Sequence, residues 1–175
     1  AKLAMPGALA ARAARSSMAL IEVLPGSLWG PGGRPGSAPY KMVDDFRNGR
    51  IPGILPGGAM IVDVRDVAEA IAGLVTHPAP QDRYILGGRR VELGELFQLL
   101  ARETGAAAPT RRIPALLARL ISRLKPEKLP PNTLRMLLAG TLVTSDRAAA
   151  DLRFAPRPLQ ETIAATATSL DESCE

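Results

Sequence analysis

Apolar positions recur along this chain in two rhythms, short runs and helical stripes, and the breaks between them carry proline or glycine. Residues 19 to 24 form an apolar run interrupted by Glu22 and stopped by Pro25-Gly26, which predicts a short buried strand. Residues 60 to 64 predict a second strand running straight into a helix whose apolar face is Val67, Ile71, Leu74 and Val75. Asp66 and Glu69 have the spacing of a capping box, which assigns Asp66 as the cap of that helix. Residues 83 to 87 predict a third strand. Helices are expected over 2 to 14, near 40 to 48, from Leu93 to Gly105, over 113 to 124, over 132 to 139, from Ser145-Asp146, and from Pro158 to about 169. Pro6 kinks the first of them unless that helix starts at Ala1, where a proline falls in the first turn. The stripe of Leu116, Leu117, Leu120, Ile121 and Leu124 against Arg119 and Arg123 predicts a core or partner-packing surface. The glycines and prolines of 30 to 39 predict an exposed loop.

Composition narrows the function classes. With 175 residues and 46% hydrophobic content the chain can bury one sizeable core. No apolar run approaches the roughly 18 residues that span a bilayer, so no stable membrane insertion is expected. The start lacks a charged-then-apolar signal sequence, which makes the cytoplasm the expected location. One cysteine, Cys174, excludes an intrachain disulfide, and with a single histidine, His77, it cannot build a metal site. His77 closes a helix beside Pro78 and is expected to be a C-terminal cap or surface residue. The net charge of +5 raises a nucleic-acid reading, but 3% aromatic content leaves few stacking platforms and no helix-turn-helix, zinc or RNP pattern occurs. No nucleic-acid partner is therefore expected. The densest basic stretch, Arg111, Arg112, Arg119, Arg123, Lys125 and Lys128, is expected to be a solvated face that could meet an anionic substrate, an acidic partner or a membrane surface.

The candidate chemistry lies in the order of several motifs. Lys2 precedes the run Val23-Leu24-Pro25-Gly26-Ser27-Leu28-Trp29-Gly30-Pro31-Gly32; Ile61-Val62-Asp63-Val64-Arg65-Asp66-Val67-Ala68 follows, then Arg83-Tyr84-Ile85-Leu86-Gly87-Gly88. Asp151-Leu152-Arg153-Phe154-Ala155-Pro156-Arg157-Pro158-Leu159 closes the series. Together they resemble the extended short-chain dehydrogenase/reductases, meaning the NAD-dependent epimerase/dehydratase group and its dihydroflavonol-reductase-like members. The resemblance covers almost the whole chain and implies a C-terminal fragment that begins at the catalytic lysine, just after the catalytic tyrosine. The implied fold is α/β, the C-terminal part of a Rossmann-like parallel sheet with a mostly helical substrate-binding lobe. Residues 1 to 88 would belong to the NAD(P)-binding domain with a substrate-loop insert, and 89 to 175 to the helical lobe and closing helices.

The same resemblance assigns roles. Lys2 would be catalytic and cofactor-binding, since an ammonium beside a phenol lowers its ordinary pKa of about 10 and the same charge holds the nicotinamide ribose. Pro25, Gly26, Ser27 and Leu28 would border the nicotinamide of NAD or NADP, and Ser27, Trp29, Arg34, Tyr40 and Arg65 would face a small-molecule substrate. The implied reaction is hydride transfer at a carbonyl or carbinol carbon. The alternatives are a nucleotide-sugar epimerase/dehydratase, or a non-catalytic dinucleotide-sensing protein of the same fold that meets another protein through 113 to 124. Leu24 stands where sugar-nucleotide epimerases often carry arginine, and Asp63 where many members carry histidine, which weakens a sugar-nucleotide substrate and leans toward the reductase-like or general epimerase side. The Gly-rich loop and the tyrosine are missing, so the chain alone is expected to be inactive, while the intact protein is expected to dimerise through the helix that carries the lysine.

Overall fold

Two neighbouring strands part around a third, and that parting organises the chain. A computed structural model describes residues 7, 9, 13, 15–16, 19–34, 36–77, 80–140 and 143–172. Lys2, Pro6 and Cys174 lie outside the described residues. Strand β1, Glu22–Pro25, pairs in parallel with β4, Arg83–Leu86, in the register Glu22 to Arg83 and Pro25 to Leu86. One residue after β1, the chain enters β2, Ser27–Trp29, which pairs in parallel with β3, Gly58–Asp63. After Gly87-Gly88, β4 likewise gives way to β5, Arg89–Glu92, which runs antiparallel along the other side of β3. The second sheet therefore has the order β2-β3-β5.

Backbone crowding at the parting excludes side chains. The Gly26 amide donates to the Leu86 carbonyl at 2.9 Å. A Cβ at Gly26 would lie 2.6 Å from the Gly87 carbonyl oxygen and 2.8 Å from that of Met60. At Gly88, whose φ is +73°, a Cβ would lie 2.0 Å from the Ile61 carbonyl oxygen. Only glycine fits either place.

Seven helices complete the described residues: α1, Ala38–Arg47; α2, Val64–Thr76; α3, Leu93–Thr104; α4, Ala115–Leu124; α5, Pro131–Ala139; α6, Asp146–Leu152; and α7, Leu159–Glu172. Side chains alternate across β3, so Ile61 and Val62 enter different cores. Ile61 packs with Trp29, Phe46, Phe97, Leu100 and Ile163, which draws α1, α3 and α7 onto one face. Val62 packs with Val67, Leu74, Tyr84, Leu86 and Phe154 on the other. The Phe46 and Phe97 rings stack with centroids 5.8 Å apart, a geometry that adds about 0.5–1.5 kcal/mol to the burial itself. A smaller cluster of Ala118, Leu129 and Leu134 holds α4 to α5.

The α/β class and most elements agree with the sequence, with four differences. The first strand begins at Glu22 and continues through Pro25, because β4 supplies a partner as far as Leu86. Ser27–Trp29 is a strand rather than part of a turn. Arg89–Glu92 forms an unexpected strand: of its four residues only Val91 is buried, so no apolar alternation marks it. Asp66 is not the cap of α2. That helix starts earlier, at Val64, and the Asp63 carboxylate accepts from the Arg65 amide at 2.9 Å. Helix α3 matches its predicted bounds and ends at a left-handed Gly105. On α4 the small residues Ala118 and Ser122 are buried and Ile121 is half-buried, while Leu116, Leu117, Leu120 and Leu124 are exposed.

Candidate functional site

A cavity of about 420 Å³ lies where β2 and β3 end, walled by Ser27, Leu28 and Trp29, the loop from Gly30 to Arg34, Pro39 and Tyr40 of α1, and Val64. It brings together Ser27, Leu28, Trp29, Arg34 and Tyr40 of the residues singled out in the sequence. Pro25 and Gly26 stand at the sheet crossing, and the missing side chain of Gly26 faces backbone carbonyls. Arg65 does not line the cavity, and Lys2 lies outside the described residues.

The loop is held by side-chain oxygens from within the fold. Gly30 is buried, unlike the exposed loop expected from its neighbours, and its amide donates to the Thr166 hydroxyl at 2.8 Å. Thr166 in turn donates to the Thr162 carbonyl, 2.7 Å away, so its hydroxyl is satisfied on both sides. The Gly32 amide donates to Ser169 Oγ at 3.0 Å and the Gly33 amide to the Tyr40 hydroxyl at 2.8 Å. The Tyr40 oxygen also lies 2.8 Å from Ser169 Oγ and 3.3 Å from the Gly30 carbonyl. Trp29 is buried, and its indole N–H donates to Ser27 Oγ at 3.1 Å. Tyr40 and Trp29 thus shape the wall from behind, while Leu28 and Arg34 are exposed on it.

The hydroxyls of α7 were missed in the sequence. Thr162, Thr166 and Ser169 recur at helical spacing on one face and are all buried. That hydroxyl stripe on an otherwise apolar face was the available signal, because a buried hydroxyl needs a partner from another element.

An ion-pair network stands beside the cavity. Arg65 meets the buried Asp63 carboxylate through Nε at 2.9 Å and Nη2 at 2.8 Å. Burial alone would raise the Asp63 pKa, but hydrogen bonds from the Arg65 side chain and amide and from Thr162 outweigh it and hold the carboxyl below its ordinary value. The same pairing raises the Arg65 guanidinium. Asp66 accepts from Arg157 twice, from the backbone amide at 3.0 Å and from Nε at 2.5 Å. Arg157 also reaches Glu69 at 3.0 Å, and Glu161 lies 3.5 Å from both arginines. The network ties α2 to the segment leading into α7.

Chemically, the cavity offers a wall of apolar side chains, hydroxyls and backbone. Among the described residues Arg34 is its one charged lining residue, and the Tyr40 phenol is committed to the loop. Among the described lining residues no carboxylate or imidazole is placed to move a proton.

No protein-family model matches the chain. It is 27% identical over 145 residues to sterol demethylase protein B of Methylococcus capsulatus, a match covering 77% of this chain and 44% of that protein. The solved structure of gox2253 superposes with a TM-score of 0.68 at 27% identity, covering 87% of this chain and 49% of the other. UDP-glucuronic acid 4-epimerase from Bacillus cereus, solved in complex with NAD, gives a TM-score of 0.72 at 13% identity over 99% of this chain and 52% of its own. The chain spans about half the length of the relatives it matches. Its fold is that of the C-terminal region of such Rossmann-like α/β proteins, with a mostly helical lobe.

Proposed function

We propose that this chain is the substrate-side half of an NAD(P)-dependent enzyme of the extended short-chain dehydrogenase/reductase type, moving hydride at a carbonyl or carbinol carbon. The observation that carries the reading is the position of the cavity. It lies where parallel strands β2 and β3 end, beside the change of sheet at Gly26, the kind of place where open α/β sheets take their ligands. The 27% identity with sterol demethylase protein B supports it, as does the likeness in fold to an epimerase solved with NAD. In this reading residues 1 to 88 complete the cofactor domain and 89 to 175 form the helical lobe. The intact protein is cytoplasmic and dimeric.

The residues present fit the nicotinamide end of a dinucleotide. Leu28 is a large apolar side chain left exposed at the wall, suited to a flat ring. The sequence contains no G-x-G-x-x-G, so the phosphates would be held by residues outside this chain. When bound, the dinucleotide supplies or accepts the hydride. Lys2 would hold its ribose and keep the phenol of a tyrosine four residues ahead of it easier to ionise. Pro25, Gly26, Ser27 and Leu28 would fix the wall, and Arg34 at the cavity would orient the polar end of the substrate. Trp29 and Tyr40 act through the wall they support. Arg65, paired with Asp63, serves the fold more than the substrate.

Leu24 and Asp63, standing where relatives of this type often carry arginine and histidine, weigh against a nucleotide-sugar substrate and favour a reductase-like or general epimerase reading. The test is to follow oxidation of NADH and NADPH by the full-length protein with a panel of ring ketones and, separately, nucleotide sugars. Net oxidation with a ketone, lost about a hundredfold or more in Lys2→Met, is the expected result. Interconversion of a nucleotide sugar without net oxidation would install the epimerase reading. Dinucleotide binding with no turnover would install the non-catalytic one.

A further inference from the structure

The outer face of α4 is built in reverse of an ordinary core helix. Leu116, Leu120 and Leu124 follow one another at four-residue spacing and are 77%, 51% and 71% exposed. Met136 on the adjoining α5 is 75% exposed. Its fully buried positions carry only the small Ala118 and Ser122, with Ile121 half-buried beside them. Burying the leucines would have been worth far more than burying these, so the helix gives up core contact to keep a bulky apolar ridge outside.

Cations border that ridge. Arg119 and Arg123 stand one turn apart on α4, and with Arg135 of α5 they edge a cavity of about 490 Å³ floored by Leu134 and Leu138. Between Glu103 and Asp146 the sequence carries one carboxylate, Glu127, against seven lysines and arginines. Among the described residues, none of Arg119, Arg123 and Arg135 is held in an ion pair.

We propose that the α4–α5 face docks the protein peripherally on an anionic lipid bilayer, with the leucine ridge at the acyl boundary and headgroup phosphates among Arg119, Arg123 and Arg135. An acidic protein surface would answer the charge but would set the leucines against polar groups. A bilayer answers both, because long cationic side chains reach headgroups while the apolar ridge sinks below them. No helix of the described residues is long and apolar enough to cross a membrane, so the contact is interfacial. The inference goes beyond the proposed function and stands without it.

The experiment is co-sedimentation of the full-length protein with vesicles of phosphatidylcholine alone and of equimolar phosphatidylcholine and phosphatidylglycerol. Binding to the anionic vesicles should exceed that to neutral ones by about tenfold or more and weaken in about half-molar salt. The double variants Leu116→Ser/Leu120→Ser and Arg119→Ser/Arg123→Ser should each lose most of it while keeping the wild-type circular dichroism, since all four side chains are exposed. Equal binding to both vesicles, or no binding by the folded protein, overturns the proposal. So does wild-type binding by the leucine variant. A wild-type dimer that the leucine variant turns into a monomer, with no lipid binding by either, assigns the face to a second copy instead.

Discussion

The Gly30 amide donates to the Thr166 hydroxyl at 2.8 Å, tying the loop that follows β2 to the last helix across 136 residues of sequence. The bond is buried, and the Thr166 hydroxyl has already given its proton to the Thr162 carbonyl. Thr166→Val keeps the shape and removes the acceptor, leaving a buried amide without a partner. The expected cost is about 1–3 kcal/mol in chemical unfolding. Faster hydrogen exchange at Gly30, with little change at Val91 in the core, would locate that cost in the loop.

At the parting of the sheets, Gly26→Ala should destabilise by about 1–3 kcal/mol, because its Cβ would lie 2.6 Å and 2.8 Å from two backbone carbonyl oxygens that cannot swing away. Gly73→Ala is the comparison. Nothing lies within 4 Å of a Cβ there, so the helix should gain up to about 1 kcal/mol. Urea midpoints of the two variants should move in opposite directions.

Arg157→Ala should be among the costliest single changes. It removes the guanidinium that meets the buried Asp66 and leaves that carboxylate uncompensated, which costs about 3–5 kcal/mol. Adding Asp66→Asn to it should recover part of the loss, and recovery in the double variant separates an ion-pair effect from lost packing.

The Asp63 pair predicts an acid limb. Its carboxyl has a lower pKa folded than unfolded, so the pair's contribution is complete above the unfolded value of about 3.9 and is lost as pH falls through the folded one. Asp63→Asn should lower stability at neutral pH and flatten the decline below about pH 4. Parallel curves for the two proteins across that range would show that Asp63 is not responsible.

How much of this was legible in the sequence depends on what each residue answers to. Helix α3 could be read almost to the residue because its apolar stripe and Gly105 are local signals. Strand β5 could not, because Arg89 and Arg90 are placed by pairing with β3 rather than by burial. Asp66 looked like a cap because capping and ion pairing ask for the same residue type. Only the fold shows that its partner, Arg157, arrives from 91 residues away. The cavity was half legible. The run from Ser27 to Arg34 marked its wall, but the oxygens that hold the wall sit in α7 and in Tyr40. The stripe of α4 was expected to be core or partner-packing, and its leucines face outward with Ile121 half-buried, since period fixes which residues share a face and not what covers it.

The most direct test uses Trp29, the single tryptophan of this chain, buried in the wall of the cavity. The full-length protein is titrated with NADH and with NADPH, and cofactor emission is excited through tryptophan. A saturable signal with one of the two is expected, abolished or strongly reduced in Trp29→Phe and displaced by the oxidised cofactor. No saturable signal from the folded protein, or one that Trp29→Phe leaves unchanged, would contradict a nicotinamide beside this wall.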